Sequence, residues 1–166
     1  MQVLPNVLTY LHYRTDTEAF VLVVDSNHSP VHQSTHKQPG GAVPLCRLCQ
    51  LQALVATVQS PLRPRVDRSS IKIAIGLAVP AIEAWFRCGL DPRVTEAAWI
   101  QGLQSGRFPY TKNELKRDVY GTDRPLLTQE IRYGTEAARR LIQDLPLLEQ
   151  WFPNGFGPLV REVRRW

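Results

Sequence analysis

Ala19-Phe20-Val21-Leu22-Val23-Val24-Asp25 decides how the rest of the chain is read. Six apolar residues run without a polar break into an acid and then into the polar loop Ser26-Asn27-His28-Ser29-Pro30. A continuous valine-rich run of this length predicts a strand covered on both faces, as in a parallel sheet. A second run of the same kind, Ile71-Lys72-Ile73-Ala74-Ile75-Gly76-Leu77-Ala78-Val79, lies downstream. Between the two, Leu45, Leu48, Leu51, Leu54, Val55 and Val58 recur at helical spacing, so residues 44 to 59 predict a helix with Pro44 in its N-terminal turn. Strand, helix and strand in that order call for a parallel crossover, right-handed by the usual rule. The fold class is α/β.

Working outward, Val3, Leu4, Val7, Leu8, Leu11 and Tyr13 give residues 2 to 13 one apolar helical face. Beyond the second strand, Pro80 opens a short helix through Ala81-Ile82-Glu83-Ala84-Trp85-Phe86. The remainder is mostly helical: residues 94 to 103, 112 to 119, and 126 to 152 with a break at Pro146. The turn Asn154-Gly155-Phe156-Gly157 then leads into a last short helix. No third strand stands out, and two strands alone make a marginal sheet, so either a strand is hidden in a segment read as coil or one is borrowed from missing sequence, a protein partner or a second copy. At 166 residues and 43% hydrophobic content the chain reads as a single domain over residues 1 to 166, with 91 to 166 a helical extension on the same core.

A net charge of +5 favours an anionic partner such as nucleic acid. No apolar run is long enough to span a bilayer and no secretory leader opens the chain, which predicts a cytoplasmic protein with no membrane partner. Three cysteines build no even disulfide framework.

Two groups of residues have the composition of a site. Asp25 and Asn27 follow the first strand and Glu83 follows the second, at the carboxyl ends where open α/β sheets bind ligands. Their hard oxygens suit Mg²⁺, which would support phosphoryl chemistry with Asp25 and Glu83 as catalytic acids. The plainer alternative makes Asp25 a turn cap and Glu83 a helix-dipole partner. The second group is His28, His32 and His36, at intervals of four, followed by Cys46-x-x-Cys49, donors suited to Zn²⁺. The order is the reverse of a zinc finger, and the alternative is ordinary loop and core residues. Lys112 and Lys116 share a helix face and, with Arg124, would meet phosphate. Trp85, Trp99, Trp151 and Cys88 read as packing residues.

Four segments together, Val-Val-Asp-Ser-Asn at 23 to 27, Ala-Val-Pro-Ala-Ile-Glu-Ala-Trp-Phe at 78 to 86, Tyr-Thr-Lys-Asn-Glu-Leu-Lys-Arg-Asp-Val-Tyr-Gly at 110 to 121 and Trp-Phe-Pro-Asn-Gly-Phe-Gly-Pro-Leu at 151 to 159, resemble an uncharacterised bacterial Toprim-like family. That family is related in plan to the nuclease domains of the overcoming-lysogenization-defect proteins. The resemblance implies a small parallel sheet flanked by helices and Mg²⁺ bound by a glutamate after a first strand and an Asp-x-Asp after a later one. Asp25 matches the first aspartate of that pair, Asn27 stands in place of the second, and Glu83 matches the Glu-Ala-Trp position. The family's first strand and its glutamate have no counterpart here. The implied function is Mg-dependent phosphodiester cleavage of nucleic acid. The alternative is an inactive Toprim-like subunit, stabilised by zinc, that binds nucleic acid or a protein.

Overall fold

The computed structural model describes residues 3–27, 29–37, 45–65 and 69–166. Two strands, β1 (Ala19–Asp25) and β2 (Lys72–Ala78), pair in parallel from Ala19 opposite Lys72 to Asp25 opposite Ala78. Helix α1 (Val3–Arg14) precedes them and α2 (Arg47–Gln59) connects them. After β2 come α3 (Ile82–Phe86), α4 (Glu96–Ser105), α5 (Lys112–Tyr120), α6 (Leu127–Leu141), α7 (Leu145–Trp151) and α8 (Gly157–Val163). The architecture is therefore α/β, a small parallel sheet flanked by helices with a helical C-terminal half.

Helices α2 and α8 pack on β2, while α3 touches both strands and carries α5 and α6 behind it. One buried apolar cluster runs from Leu8 through Leu48, Leu77, Trp85 and Leu115 to Phe152 and Phe156. Gly76 lets α8 and α3 press onto the sheet: a Cβ there would lie 2.8 Å from Leu159 Cδ1 and 2.9 Å from Trp85 Cη2.

Two expectations need correction. The apolar run of β1 predicts burial on both faces, yet Val21 is 49% and Val23 37% exposed. With two strands the sheet is too narrow for helices to cover it twice, and α2 and α8 both favour β2. The break in the 126 to 152 helix falls at a 3-10 turn, Ile142–Asp144, and Pro146 belongs to the first turn of α7, where a missing N–H costs nothing.

The outer edge of β2 is strapped by the turn after α7, where Leu77 N–H donates to Gly155 O at 3.0 Å. That turn is held in place by Glu96 from α4, whose Oε2 accepts from Asn154 N–H at 2.8 Å. Glu96 is 1% exposed, and among the described residues its Oε1 has no hydrogen-bond partner. Burial pushes its pKa up to about 7, against the smaller opposing pull of the Asn154 and Gly155 backbone. A carboxyl that binds its proton more tightly in the folded chain stabilises the fold below its unfolded pKa, and that contribution is lost as pH rises through about 7. The difference amounts to about 3 kcal/mol on an order-of-magnitude reckoning. Glu96→Gln keeps an acceptor for Asn154 without the ionisation. Denaturant melts are expected to show the wild type weakening between pH 5 and 8 and Glu96→Gln staying nearly flat.

Candidate functional site

Where the strands end, the backbone binds the two ends together. Ser26 N–H donates to Ala78 O at 2.8 Å and Asn27 N–H to Pro80 O at 3.3 Å, and the Val79–Pro80 peptide is cis. Asp25 is the last residue of β1, and its Oδ1 accepts from Ile82 N–H at 2.9 Å, fastening β1 to the first turn of α3. This is the capping role that the sequence allows, and it leaves the carboxylate at the carboxyl end of the sheet. Glu83, one residue further on, is buried at 4% exposure with Oε2 unpartnered among the described residues. Burial raises its pKa, the Asp25 charge raises it further, and Lys116 and Tyr120 act in the opposite direction. Its proton is held more firmly than that of a free carboxyl.

The opposing wall is α5. Thr111 and Glu114 form a reciprocal capping box, with Glu114 N–H on Thr111 Oγ1 at 3.2 Å and Thr111 N–H on Glu114 Oε2 at 2.6 Å. The cap sets the start of a helix whose positions 112, 116 and 120 share one face. Lys112 Nζ donates to Asn27 Oδ1 at 2.6 Å. Asn27 itself has φ of 52°, a left-handed conformation that asparagine adopts more readily than most residues. Burial lowers the Lys112 pKa, Asp25 and Glu83 oppose the fall, and Lys116 and Arg47 add to it. Tyr120 closes the group: burial first and Glu83 second push its phenol pKa up.

Asp25, Asn27, Glu83, Lys112 and Lys116 are thus brought into one cluster, joined by Tyr120, which sequence reasoning missed. Tyr120 could have been found by carrying the four-residue spacing of Lys112 and Lys116 one step further. Arg124 is exposed in the turn after α5, where its backbone N–H bonds Thr122 Oγ1 at 3.3 Å. Among the described residues no hydrogen bond or ion pair links its side chain to the cluster. The ammonium of Lys112 occupies the position against Asn27 that the sequence reading gave to a divalent cation.

The second group assembles beside the N-terminus of α2. Cys46 is fully buried at the N-cap of α2 and Cys49 lies one turn on, half-buried. His32 is buried in the chain leaving β1, and His36 lies in the following 3-10 turn (Ser34–Lys37). His32 Nδ1 is 3.5 Å from both Cys46 Sγ and Cys49 Sγ, and His36 Nδ1 is 3.7 Å from Cys49 Sγ. All four donor atoms lie within 4.8 Å of one another. A tetrahedral ion with metal–sulfur bonds of about 2.3 Å and metal–nitrogen bonds of about 2.0–2.1 Å sets sulfur–nitrogen edges of about 3.6 Å. The donors therefore stand close to the spacing of a tetrahedral shell, and they could hold a metal ion. Burial raises the Cys46 thiol pKa and the neighbouring Cys49 raises it further, while the Cys49 and Leu48 backbone N–H groups pull it down. His28 lies outside the described residues. Cys46, which the packing alternative would make an unremarkable neighbour, is the more buried of the pair. Cys88, by contrast, is buried in the core with its thiol pKa pushed up to about 11, first by burial and then by Asp144.

Comparison with protein-family models, curated proteins and solved structures finds no match to this chain. No helix among the described residues is long and apolar enough to cross a membrane.

Proposed function

We propose that this chain is a zinc-stapled, Toprim-like α/β domain that binds the phosphodiester backbone of nucleic acid at the carboxyl ends of its two strands. The four-donor set of His32, His36, Cys46 and Cys49 carries the reading. Two thiolates and two imidazoles satisfy zinc completely, and a closed set of four protein ligands marks a structural centre rather than a catalytic one. Such a centre would fasten the chain leaving β1 to the start of α2. The function then belongs to what that segment borders, the cluster of Asp25, Glu83, Lys112, Lys116 and Tyr120. There the lysines supply positive charge beside Glu83, a buried carboxyl whose pKa burial raises.

The closeness of Asp25 to Glu83 favours a second reading, Mg-dependent phosphodiester cleavage with Asp25 and Glu83 as catalytic acids and Asn27 as a further ligand. Against it stands Lys112, whose ammonium already holds Asn27 Oδ1. Asn27 also lacks the charge that a second aspartate would bring to a cation.

One experiment addresses both. Zinc-loaded protein is titrated into a fluorescent 20-nucleotide single-stranded DNA at several salt concentrations, with Mg²⁺ present and product lengths checked on a gel. The Lys112→Ala/Lys116→Ala double variant is expected to bind about tenfold more weakly and with a salt slope smaller by between 1 and 2. Intact DNA throughout fits the binding reading. Cleavage that Asp25→Ala abolishes would replace it with the second, and salt-independent or absent binding by the wild type would remove the nucleic-acid assignment.

A further inference from the structure

The outward face of α1 carries an aromatic surface that neither the strand-end cluster nor the metal centre uses. Asn6, Thr9, Tyr10 and Tyr13 recur at helical spacing on the side of α1 away from the buried Leu8. Tyr10 is 60% and Tyr13 51% exposed, so one helix turn leaves two large rings open to water. Together with Arg14 and Arg63 these residues line a shallow groove of about 720 Å³.

The groove is held in shape from below. Tyr13 Oη accepts from Arg63 N–H at 3.0 Å, and the buried His12 donates from Nε2 to Arg63 O at 2.9 Å. Both backbone groups of residue 63 are therefore fastened to the last turn of α1. The His12 and Tyr13 rings meet in a T, with centroids 4.6 Å apart and planes at 85°. These contacts orient the Tyr13 ring while half of it stays exposed. Two residues further on, Arg65 donates to Thr15 O at 2.9 Å and to Thr17 O at 3.0 Å, which seats the segment beside the connector entering β1. The groove thus lies toward the amino ends of the strands, and the lysine cluster stands beyond their carboxyl ends. Seven residues of β1, at about 3.3 Å each, set the two apart by roughly 20 Å.

Arg14 and Arg63 are exposed, and none of the ion pairs among the described residues involves either. No acidic residue lines the groove. Two guanidinium groups without a carboxylate, beside two open tyrosine rings, offer positive charge to an anion and π-faces to a flat ring. An unpaired nucleic-acid strand supplies both at every nucleotide, a phosphate for the charge and a base for the ring.

We propose that this groove is a stacking platform for unpaired bases, with Tyr10 and Tyr13 taking base faces and Arg14 and Arg63 the adjoining phosphates. This rests on the nucleic-acid reading above, names single-stranded nucleic acid as its ligand class, and adds a second contact at the opposite end of the sheet.

The test uses the full chain loaded with zinc, the same 20-nucleotide single-stranded DNA, and an abasic strand of equal length that keeps the phosphates and lacks the bases. Wild type is compared with Tyr10→Ala, Tyr10→Phe, the Arg14→Ala/Arg63→Ala double variant and Leu127→Ala, the last trimming a side chain on α6 that is 70% exposed. Melting temperature and sedimentation are measured on each. Tyr10→Ala is expected to keep its melting temperature, to bind the DNA about tenfold more weakly with an unchanged salt slope, and to bind the abasic strand as wild type does. Tyr10→Phe, which keeps the ring, and Leu127→Ala should resemble wild type on both strands. The arginine double variant should weaken binding to both strands and reduce the salt slope by between 1 and 2. If wild type binds the DNA and Tyr10→Ala binds it equally well, or loses as much on the abasic strand, the stacking platform is refuted while the nucleic-acid reading stands. A change in sedimentation of the free Tyr10→Ala protein with DNA binding intact would refute it in favour of a contact between two copies of the chain. If wild type binds neither strand, the reading beneath falls, and this inference with it.

Discussion

Cys49→Ala is expected to abolish stoichiometric zinc binding and to lower the melting temperature by about 10 °C. Cys49 Sγ faces both His32 Nδ1 and His36 Nδ1, so its removal takes away the donor shared by the two imidazoles. At free zinc about a thousandfold above Kd, linkage alone contributes about 4 kcal/mol of stability, and in a chain of this size each 1 kcal/mol corresponds to about 2–4 °C. The effect differs from that of an ordinary cavity because it depends on the metal. In a chelator the wild type should melt close to the variant, and the two should separate as zinc is added. Cys88→Ala is the comparison that isolates the centre: it removes a fully buried thiol in the core and should leave zinc content at one per chain. A wild-type protein that carries no zinc after purification in its presence, and melts identically with and without chelator, would exclude the staple.

Gly155→Ala is expected to cost about 3–5 kcal/mol or to prevent folding. A Cβ at this position would lie 2.1 Å from Leu77 O, which no side-chain rotation can relieve because the obstacle is backbone. The turn would have to move off β2 and so give up the Leu77 N–H to Gly155 O bond in the middle of the core. It would also draw Asn154 away from Glu96, leaving a buried carboxylate with one contact fewer. The reference substitution is Gly106→Ala. Gly106 has φ of 71° and no atom within 4 Å of an added Cβ, so only the left-handed backbone conformation opposes it. A cost there of about 1 kcal/mol beside a loss of several at Gly155 would show that close approach to β2, rather than backbone freedom, makes glycine necessary. Urea melts on the two variants measure both.

Much of this architecture can be read from residue patterns because local periodicity and burial agree. The two valine- and isoleucine-rich runs become β1 and β2, and the 45 to 58 periodicity becomes α2, since each pattern reflects the face its element must bury. Thr111-Lys112-Asn113-Glu114 announces the start of α5 through chemistry confined to four residues, and the capping box forms between its ends. What was misread has an equally plain cause. The exposed Val21 and Val23 look like buried residues because apolar character states what a side chain tolerates, and the number of helices available to cover it is a property of the whole chain. Helix ends at 142 to 144 were misplaced because proline disrupts a helix interior but suits its first turn, and composition alone does not say which applies.

The candidate sites divide in the same way. His32, His36, Cys46 and Cys49 are recognisable as metal donors by residue type, and the x-x spacing within Cys46-x-x-Cys49 sets the two sulfurs one helical turn apart. Whether two imidazoles from the other side of a loop meet those sulfurs is decided by how the chain after β1 returns to the start of α2. At the carboxyl ends of the strands, the sequence by itself determined that Asp25 and Glu83 would stand near each other, because parallel strands joined by a helix place their ends side by side. Only the tertiary structure decided that Lys112 would reach Asn27 and that Tyr120 would stand beside Glu83. Those contacts span up to 85 residues of sequence, and they depend on helix packing angles that no local pattern of side chains encodes.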